Sequence, residues 1–435
     1  MKSLRRGCFY VISITKIANI AKKNKLDQLA VPLMLSQVLG LVIGLCDQAV
    51  MGHLSVTCFA SVAIVSGFIN SVTGVLGMTA TSFNILGSRA RTQQEVMDEM
   101  WAQIGLSLGI GVLSILGMLQ FGPFIFQQIY RLNGEVLAES LNYAMIFSAS
   151  TGLNLLLFTC SSYLKIVHRT TYILIGNTVA AIGNVLLDVF LVYGCSLGMV
   201  GNAIGSVMAL ILNLIIYVRI FKKKELLRFR SIQLEKVWTI LWASLLLMFQ
   251  EFLESTVFVL VIGAFISRIG LQEMAVYQLI NQLQMIAWMP MYAYAQAALT
   301  LVHQWPSGYR LALMRSAGMY GIISIVLVFA WPLLIQFLTN QVALMLSVKT
   351  YFIGALSLGV VNNCVTVYQY TLQSLGAQRW VLGMSLVCYA IGGWLISLGL
   401  EWWSSLWVVY LGLAGIYVVL AVMMGIKLRV LIRGD

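Results

Sequence analysis

The stretch PLMLSQVLGLVIGLCDQAVM, residues 32–51, contains a single charged side chain, Asp47, and no Lys or Arg. About 20 apolar residues in a helix span the roughly 30 Å of hydrocarbon in a bilayer, so this stretch is long enough to cross a membrane. A carboxylate within such a helix is costly unless a cavity or a partner solvates it. Asp47 therefore indicates a functional site inside a membrane.

Similar apolar stretches fill the rest of the chain. Its 435 residues are 60% hydrophobic and only 10% charged, which is too apolar for a soluble domain. Because these stretches are apolar on every face, they exclude a barrel of alternating strands and indicate an all-α polytopic membrane protein. We predict twelve transmembrane helices near residues 28–51, 59–82, 101–122, 139–163, 170–193, 199–219, 237–266, 275–302, 316–338, 347–374, 380–400 and 404–426.

The positive charges indicate the topology. With the N-terminus in the cytoplasm, all of the 27 Lys and Arg except Arg131, Arg268 and Lys349 fall on the cytoplasmic side, as the positive-inside rule requires. We therefore predict a multi-pass protein of the plasma (inner) membrane with both termini cytoplasmic. The net charge of +12 follows from this topology and from contact with membrane lipid, so no nucleic-acid partner is needed.

The longest polar stretch, FKKKELLRFRSIQLEKVW at 221–238, divides the spans into two sets of six. We predict a cytoplasmic lead-in at 1–27, an N-lobe at 28–219, a cytoplasmic linker at 220–236 and a C-lobe with a short cytoplasmic tail at 237–435.

The two halves show signs of an internal repeat. An offset of about 207 positions aligns Asp47 with Glu254 and Asn154 with Asn362, all of them rare polar residues within spans. Six helices restore the starting side of the membrane, so the halves are expected to be parallel repeats related by a pseudo-two-fold axis along the membrane normal. Transporters built in this way bind substrate between the halves.

Four polar residues of the first half are predicted to meet. Asp47 and Asp188 lie at similar depth in two spans that run in the same direction, and Asn184 lies one helical turn before Asp188 on the same face. Ser206 reaches that level from the next span. This all-oxygen set suits Na⁺, or a pair of carboxylates that shares and releases a proton. The alternative is that each acid only hydrogen-bonds a neighbouring helix.

The second half offers fewer polar residues. Glu251 and Glu254 are three residues apart and face roughly the same side of one helix, which suits a proton carrier or a ligand for a cationic substrate. Asn362 is neutral. A structural hydrogen bond remains the alternative for all three, because polar side chains often join transmembrane helices.

Some further residues are candidates for binding or movement. Tyr277, Tyr292 and Tyr368 could line a cavity that offers cation–π contacts, although general packing explains them as well. Pro32 interrupts the hydrogen bonding of the first span and is a candidate hinge or a static kink. The small residues Gly201 and Gly205 are expected to make a close helix contact.

Other classes of function lack their signatures. The sequence has no phosphate-binding P-loop, so we expect no direct use of ATP. Its three His residues show no metal-ligand spacing, so we expect no enzyme and no metal beyond a Na⁺ at Asp47 and Asp188. No cofactor is expected other than the coupling ion, H⁺ or Na⁺.

Several segments together resemble the MATE (multidrug and toxic compound extrusion) family, in the NorM-like branch of the multidrug/oligosaccharidyl-lipid/polysaccharide flippase superfamily. PLMLSQ…GLCDQAVMGHLS at 32–55 is similar to the first helix of that family. GNVLLDVFLVYG…GMVGNAIGS at 183–206 is similar to its fifth and sixth helices, and FLESTVF…MAVYQLINQLQMIAW, which begins at Phe252, to its seventh and eighth. The resemblance covers nearly the whole chain, and the order and spacing of the segments make it specific.

The resemblance implies roles for particular residues. By position, Asp47, Asn184, Asp188 and Ser206 match the cation site of the family's N-lobe, with Ser206 where threonine is common. Glu254 matches an acid important in the NorM-like branch.

The C-lobe departs from the pattern of that branch. Asn362 stands where the branch often has aspartate, and LQSLGAQ at 372–378 replaces a common L-R-G-x-G-D. This departure shifts the expected cation binding to the N-lobe.

We therefore expect a monomeric antiporter, coupled to H⁺ or Na⁺, that exports organic, cationic and amphipathic drugs or toxic compounds by alternating access. A flippase for a lipid-linked saccharide is the alternative within the superfamily, but it would need basic residues in its spans. A channel or a membrane scaffold is the alternative from another class. The physiological substrate and the choice between H⁺ and Na⁺ stay open.

Overall fold

The computed structural model describes residues 25–41, 43–44, 46–47, 50–51, 53–54, 56–130, 132–222, 232–338 and 342–434. Most of the predicted lead-in at 1–27 and of the predicted linker at 220–236 lies outside these residues. Helix α1 comprises the helical residues described between 25 and 51. The later helices are α2 Val56–Arg89, α3 Gln93–Phe124, α4 Gly134–Phe147, α5 Ala149–Ile166, α6 Thr171–Val189, α7 Gly198–Lys222, α8 Leu234–Glu251, α9 Phe258–Ile269, α10 Leu271–Leu301, α11 Gly308–Leu338, α12 Val342–Ser374, α13 Gln378–Trp402 and α14 Leu406–Gly434.

Ten helical stretches among the described residues are long and apolar enough to cross a membrane. One of these stretches runs through α4 and α5, and another runs through α8 and α9. Helix α1, described in part, and the 31-residue α10 are the other two predicted spans. Helix α10 is rich in amides, and one of them, Gln284, donates a 2.6 Å hydrogen bond to the carbonyl of Ala355. No strand occurs among the described residues, so the predicted all-α polytopic fold is confirmed.

Three short π-helical turns interrupt this pattern, at Ile125–Ile129, Phe190–Gly194 and Phe252–Val257. A π-helical turn accommodates an extra residue and is frequent at functional sites. The second turn begins two residues after Asp188, and the third contains Glu254. Two of the acids singled out from the sequence therefore lie in or next to irregular points of their helices.

The chain forms two compact units. The N-unit is Leu35–Val257, and the C-unit combines the described residues up to Met34 with those from Phe258 onward. The start of α1 therefore belongs to the C-unit, and α8 belongs to the N-unit. The predicted lobes at 28–219 and 237–435 are each continuous in sequence. The compact units are not, because the C-unit includes the start of α1 and the N-unit includes α8.

Within the N-unit, α8 packs against α2 and α3. Lys236 on α8 forms an ion pair with Asp98 on α3, with 3.6 Å between Nζ and Oδ2. Buried Gln103 on α3 donates a 2.8 Å hydrogen bond to Thr79 on α2. These polar contacts join three helices, and apolar packing alone gives little specificity in a membrane.

Within the C-unit, the start of α1 is held by a charged contact. The hydroxyl of Tyr294 on α10 donates a 2.8 Å hydrogen bond to Oδ1 of Asp27, and Arg315 on α11 lies 3.9 Å from Oδ2. Leu26, Leu29 and Ala30 join the buried core of this unit. Residues 25–34 are thus integrated into the C-unit by both apolar and polar contacts.

Both units contain the same helix-ending turn, 208 positions apart. After α5, His168 takes a left-handed φ of 58°, and the amide of Arg169 donates a 2.7 Å hydrogen bond to the carbonyl of Leu164. After α12, Gly376 has a φ of 89°, and the amide of Ala377 donates a 2.9 Å bond to Leu372. This is the Schellman arrangement that satisfies the last carbonyls of a helix. Its recurrence agrees with the predicted repeat.

Candidate functional site

The structure brings together the four polar residues predicted for the first half. The carboxylate of Asp47 on α1 lies close enough to the side chains of Asp188 and Asn184 on α6 and of Ser206 on α7 to interact with them. Asn184 also donates a 3.4 Å hydrogen bond to Ser206. Helical spacing explains this convergence, because Asn184 and Asp188 are four residues apart and share one face of α6.

Two further residues complete this cluster, and neither was identified from the sequence. Asn202 on α7 is fully buried and donates a 3.1 Å hydrogen bond to Oδ2 of Asp188. Tyr143 on α4 is buried and close enough to interact electrostatically with both Asp47 and Asp188. Asn202 had a usable signal, since it lies four residues before Ser206 on the same face of α7. No such signal distinguished Tyr143, which is one of many aromatic residues in the predicted spans.

The cluster contains buried oxygens that receive no hydrogen bond from the described residues. They are the Oδ1 atoms of Asp47, Asn184, Asp188 and Asn202. A buried carboxylate without a matching donor or cation is unfavourable by several kcal/mol, and two adjacent carboxylates add mutual repulsion. The cluster therefore has the capacity to accept a proton or a cation with oxygen ligands.

The donor set of the cluster fits Na⁺ better than it fits a transition metal. Carboxylate, amide and hydroxyl oxygens are hard ligands of the kind that alkali and alkaline-earth cations prefer. Across the described part of the chain, no three His, Cys, Asp or Glu side chains gather as ligands of a metal ion. Asp47 and Asp188, with Asn184, Asn202 and Ser206, are the residues that would hold Na⁺.

Close packing of α6 on α7 positions Asp188. A Cβ atom added at Gly205 would overlap Oδ1 of Asp188, and one added at Gly201 would lie 2.9 Å from the carbonyl carbon of Leu191. The predicted close contact at these two glycines is therefore present. Only glycine allows α7 to approach the carboxylate so closely.

The π-helical turn Phe190–Gly194 joins this site to α1. It begins two residues after Asp188, and the hydroxyl of its Tyr193 donates a 2.9 Å hydrogen bond to the carbonyl of Val50. Val50 lies three residues after Asp47 on α1. The turn thus helps to hold α1 beside α6 at the level of the two carboxylates.

Glu251 and Glu254 form a second acidic pair, within the N-unit. Glu251 ends α8 and Glu254 lies in the π-helical turn that follows, and both are partly buried. The two carboxylates are close enough to interact electrostatically. Gln250 donates a 3.0 Å hydrogen bond to Oε1 of Glu254. The predicted proximity of the two acids is therefore present, and their role stays a prediction.

The remaining candidates lie apart from the Asp47 cluster along the chain. Asn362 is partly buried on α12, in the C-unit, and its carbonyl accepts a 2.9 Å hydrogen bond from Thr366. The ring of Tyr277 lies 6.3 Å from that of Tyr410 and packs against the core of the C-unit. Its role in a cavity stays a prediction.

The other two tyrosines and the predicted hinge also lie in the C-unit. The ring of Tyr368 lies 6.0 Å from that of Tyr309, and Tyr292 is 36% exposed. Pro32 on α1 lies two residues before the change from C-unit to N-unit at Met34. The role of Pro32 as a hinge stays a prediction.

Comparison with known proteins gives distant relatives in sequence and close ones in structure. The chain is 23% identical over 202 residues to "Multidrug export protein MepA" of Staphylococcus aureus, covering 45% of this chain and 44% of that protein. It is 23% identical over 293 residues to "Probable multidrug resistance protein NorM" of Thermotoga maritima, covering 64% of this chain and 62% of that protein. The matches thus span about half the length of these curated relatives. No protein-family model matches the chain.

The structural likeness is more extensive. A solved structure described as an outward-facing conformation of a multidrug resistance MATE family transporter superposes with a TM-score of 0.85 at 15% identity, over 94% of this chain and 97% of that one. At such low identity the likeness establishes the fold. The predicted resemblance is confirmed at that level, and the chain is a multi-pass membrane protein.

Proposed function

We propose that this chain, which has the fold of the MATE transporters, exports organic cations from the cell in exchange for H⁺ or Na⁺. It acts as a transporter rather than an enzyme. The printed names of its sequence relatives, multidrug export and multidrug resistance proteins, support this class of function. The observation that carries the proposal is the cluster around Asp47 and Asp188, in which four buried oxygens accept no hydrogen bond from the described residues.

Electrostatics explains why this cluster suits coupling. Two adjacent carboxylates cannot both stay ionised in a buried site without a large cost in free energy. A shared proton, or Na⁺ held by the five oxygen ligands, would remove that cost. A conformation that exposes the carboxylates to water would release the ion, so binding of the ion favours one conformation over the other.

The crossing points between the compact units suggest where the chain bends. Helix α1 passes from the C-unit to the N-unit just after Pro32, and the span of α8 and α9 passes back at Val257, the last residue of a π-helical turn. Proline and π-helical turns both interrupt the regular hydrogen bonds of a helix and cause kinks. We place the two hinges of alternating access at these points.

The charge of the second acidic pair indicates the kind of substrate. Glu251 and Glu254 are partly buried in a predicted span, and Glu254 lies in the π-helical turn at which we place one hinge. A carboxylate in that position favours a cationic substrate and disfavours the pyrophosphate of a lipid-linked saccharide. Antiport of organic cations is therefore better supported than the flippase alternative. Residence in the cell membrane with both termini cytoplasmic, and action as a monomer, are parts of the same proposal.

Transport by purified protein in liposomes tests the proposal. Efflux of ethidium, a fluorescent organic cation, is measured under an imposed H⁺ gradient and, separately, under an imposed Na⁺ gradient. Asp47→Asn keeps the shape of the side chain and removes the charge that titrates. Glu139→Gln is the matched control, since Glu139 is an exposed acid on α4 of the same unit.

We expect one of the two gradients to drive efflux by wild type and Glu139→Gln but not by Asp47→Asn. Equal gradient-driven efflux by Asp47→Asn and wild type would show that the cluster is structural. An efflux rate that depends on neither gradient would exclude antiport with H⁺ or Na⁺.

A further inference from the structure

A cavity of about 240 Å³ opens in the N-unit, where the turn between α5 and α6 meets the start of α3 and the end of α7. Its polar lining comes from Gln93, Tyr163 and Arg169, and its apolar lining includes Val167, Ile220 and Phe221. This end of the helices is rich in Lys and Arg and is the predicted cytoplasmic side. The acidic cluster of the proposed transport site contributes no residue to the cavity.

Tyr163 forms part of the wall of this cavity. The side chain is 1% exposed, and its ring packs edge-on against Phe221 with 5.4 Å between centroids. Its hydroxyl makes no hydrogen bond to any described residue. The side chains of Gln93 and Arg169 both lie close enough to the hydroxyl to interact with it. A buried hydroxyl with a free donor beside a guanidinium is suited to an anionic oxygen.

The backbone fixes Arg169 at the cavity. His168 takes the left-handed conformation that ends α5, and the amide of Arg169 is bonded to the carbonyl of Leu164. No ion pair between described residues includes Arg169. The turn therefore presents a guanidinium whose charge is not neutralised by a carboxylate in the described part of the chain.

The second repeat shows that the turn itself requires neither polar side chain. The same Schellman turn after α12 has Thr371 and Ala377 at the positions equivalent to Tyr163 and Arg169. The phenol and the guanidinium are thus additions specific to the first repeat. A purely structural role in ending the helix does not explain them.

We infer that this cavity binds a phosphate group, with Arg169 and the hydroxyl of Tyr163 donating hydrogen bonds to its oxygens and with Gln93 assisting. The apolar lining suits the glycerol and first acyl carbons of an anionic phospholipid, and the inner leaflet supplies such lipids to basic sites at this depth. A free phosphate ester from the cytoplasm has the same head-group chemistry.

Binding is tested with the full chain, purified in detergent and stripped of lipid. The temperature of half-unfolding is followed during titration with phosphatidylglycerol, phosphatidylcholine or inorganic phosphate, and native mass spectrometry counts the bound lipids. Tyr163→Phe removes only the hydroxyl, and Arg169→Ala copies the residue of the second repeat. Arg91→Ala is the matched control, because Arg91 is an exposed cation at the same end of the N-unit and outside the cavity lining.

Phosphatidylglycerol should raise the temperature of half-unfolding of wild type and of Arg91→Ala. Each cavity variant should bind the lipid about tenfold more weakly, because it lacks one charged hydrogen bond. If inorganic phosphate gives the same pattern and the lipid does not, the site binds soluble phosphate. Without any ligand, Tyr163→Phe should unfold at the wild-type temperature or above, because it removes a buried hydroxyl that lacks a partner.

The inference is overturned if both cavity variants respond like wild type, or if Arg91→Ala loses as much affinity as they do. It is also overturned if Tyr163→Phe is already destabilised without ligand, which would reveal a structural hydrogen bond. Because no transport is measured, these outcomes are independent of the proposed export activity.

Discussion

Asn202 on α7 donates a 3.1 Å hydrogen bond to Oδ2 of Asp188 on α6, and this bond leaves Oδ1 of Asp188 directed at Gly205. Farther along the same two helices, Asn213 donates a 2.9 Å hydrogen bond to the side-chain oxygen of Asn177. Two asparagines of α7, of similar burial, therefore each bridge this helix to α6. One bridge belongs to the acidic cluster, and the other lies outside it.

This pairing gives a matched test of the role of Asn202. Asn202→Ala and Asn213→Ala should each lower the free energy of unfolding by a similar amount, about 0.6 and at most about 1.7 kcal/mol. Only Asn202→Ala should weaken the apparent affinity for the coupling ion, by about tenfold, because it frees Asp188 to change orientation. Export against H⁺ and Na⁺ concentration is the measurement. Equal changes in ion dependence would mean that Asn202 only joins the helices.

The contact between Asp47 and Asp188 predicts strong coupling between them. Asp47→Asn and Asp188→Asn should each abolish most of the ion-driven export, and the double variant should lose little more than either single one. The reason is that one ion or proton is shared by both carboxylates. Rates of gradient-driven efflux complete the double-mutant cycle. Additive losses would indicate two independent sites.

Gly205→Ala tests the packing behind Asp188. The added Cβ would overlap Oδ1 of Asp188, so either the carboxylate or α7 must shift. We expect loss of gradient-driven export by at least about tenfold, with the protein still inserted and folded. Gly109→Ala on α3 is the control, because nothing in the structure lies within 4 Å of its added Cβ. Wild-type export by Gly205→Ala would show that the orientation of Asp188 is unimportant.

The sequence predicted most of the acidic cluster because charged residues are rare inside spans and helical spacing fixes their faces. Asp47, Asn184, Asp188 and Ser206 were found in this way. Asn202 was missed because a neutral amide stands out less in a span than a carboxylate does, although its spacing to Ser206 was visible.

Periodicity could not predict that the start of α1 belongs to the C-unit and α8 to the N-unit. This division depends on contacts between residues far apart in sequence, such as Asp27 with Tyr294, and no local pattern encodes them. The π-helical turns at Phe190–Gly194 and Phe252–Val257 were missed for a similar reason. Such a turn keeps the composition of an ordinary helix, and tertiary packing decides whether the extra residue is accommodated.

Glu254→Gln should reduce export of ethidium more than Glu251→Gln does. Glu254 lies in the π-helical turn and is oriented by Gln250, whereas Glu251 belongs to the regular end of α8. Only Glu254 corresponds to Asp47 in the repeat. Initial rates at several ethidium concentrations separate an effect on substrate binding from one on turnover. An equal or larger loss at Glu251 would remove the support that the repeat gives to Glu254.

The attachment of the start of α1 gives a final test, on stability. Tyr294→Phe removes a 2.8 Å hydrogen bond to the carboxylate of Asp27 from a side chain that is 2% exposed. Hydrogen bonds to charged groups contribute about 1.5–3 kcal/mol, so the free energy of unfolding in detergent should fall by an amount near the lower end of that range, since Asp27 is partly exposed to solvent.

Lys236→Gln is the comparison variant in the N-unit. It breaks the ion pair with Asp98. The side chain of Lys236 is 29% exposed and that of Asp98 is 16% exposed, and a pair of this kind contributes at most about 1 kcal/mol.

If Pro32 is a hinge, Tyr294→Phe should also change the rate of export, because it loosens the segment before the hinge. The dependence of export on H⁺ or Na⁺ should stay as in wild type, because the cluster around Asp47 is intact. A shift in the ion dependence of export would contradict this separation between the hinge and the ion site. An unchanged free energy of unfolding would show that Asp27 and Tyr294 do not hold α1 in the C-unit.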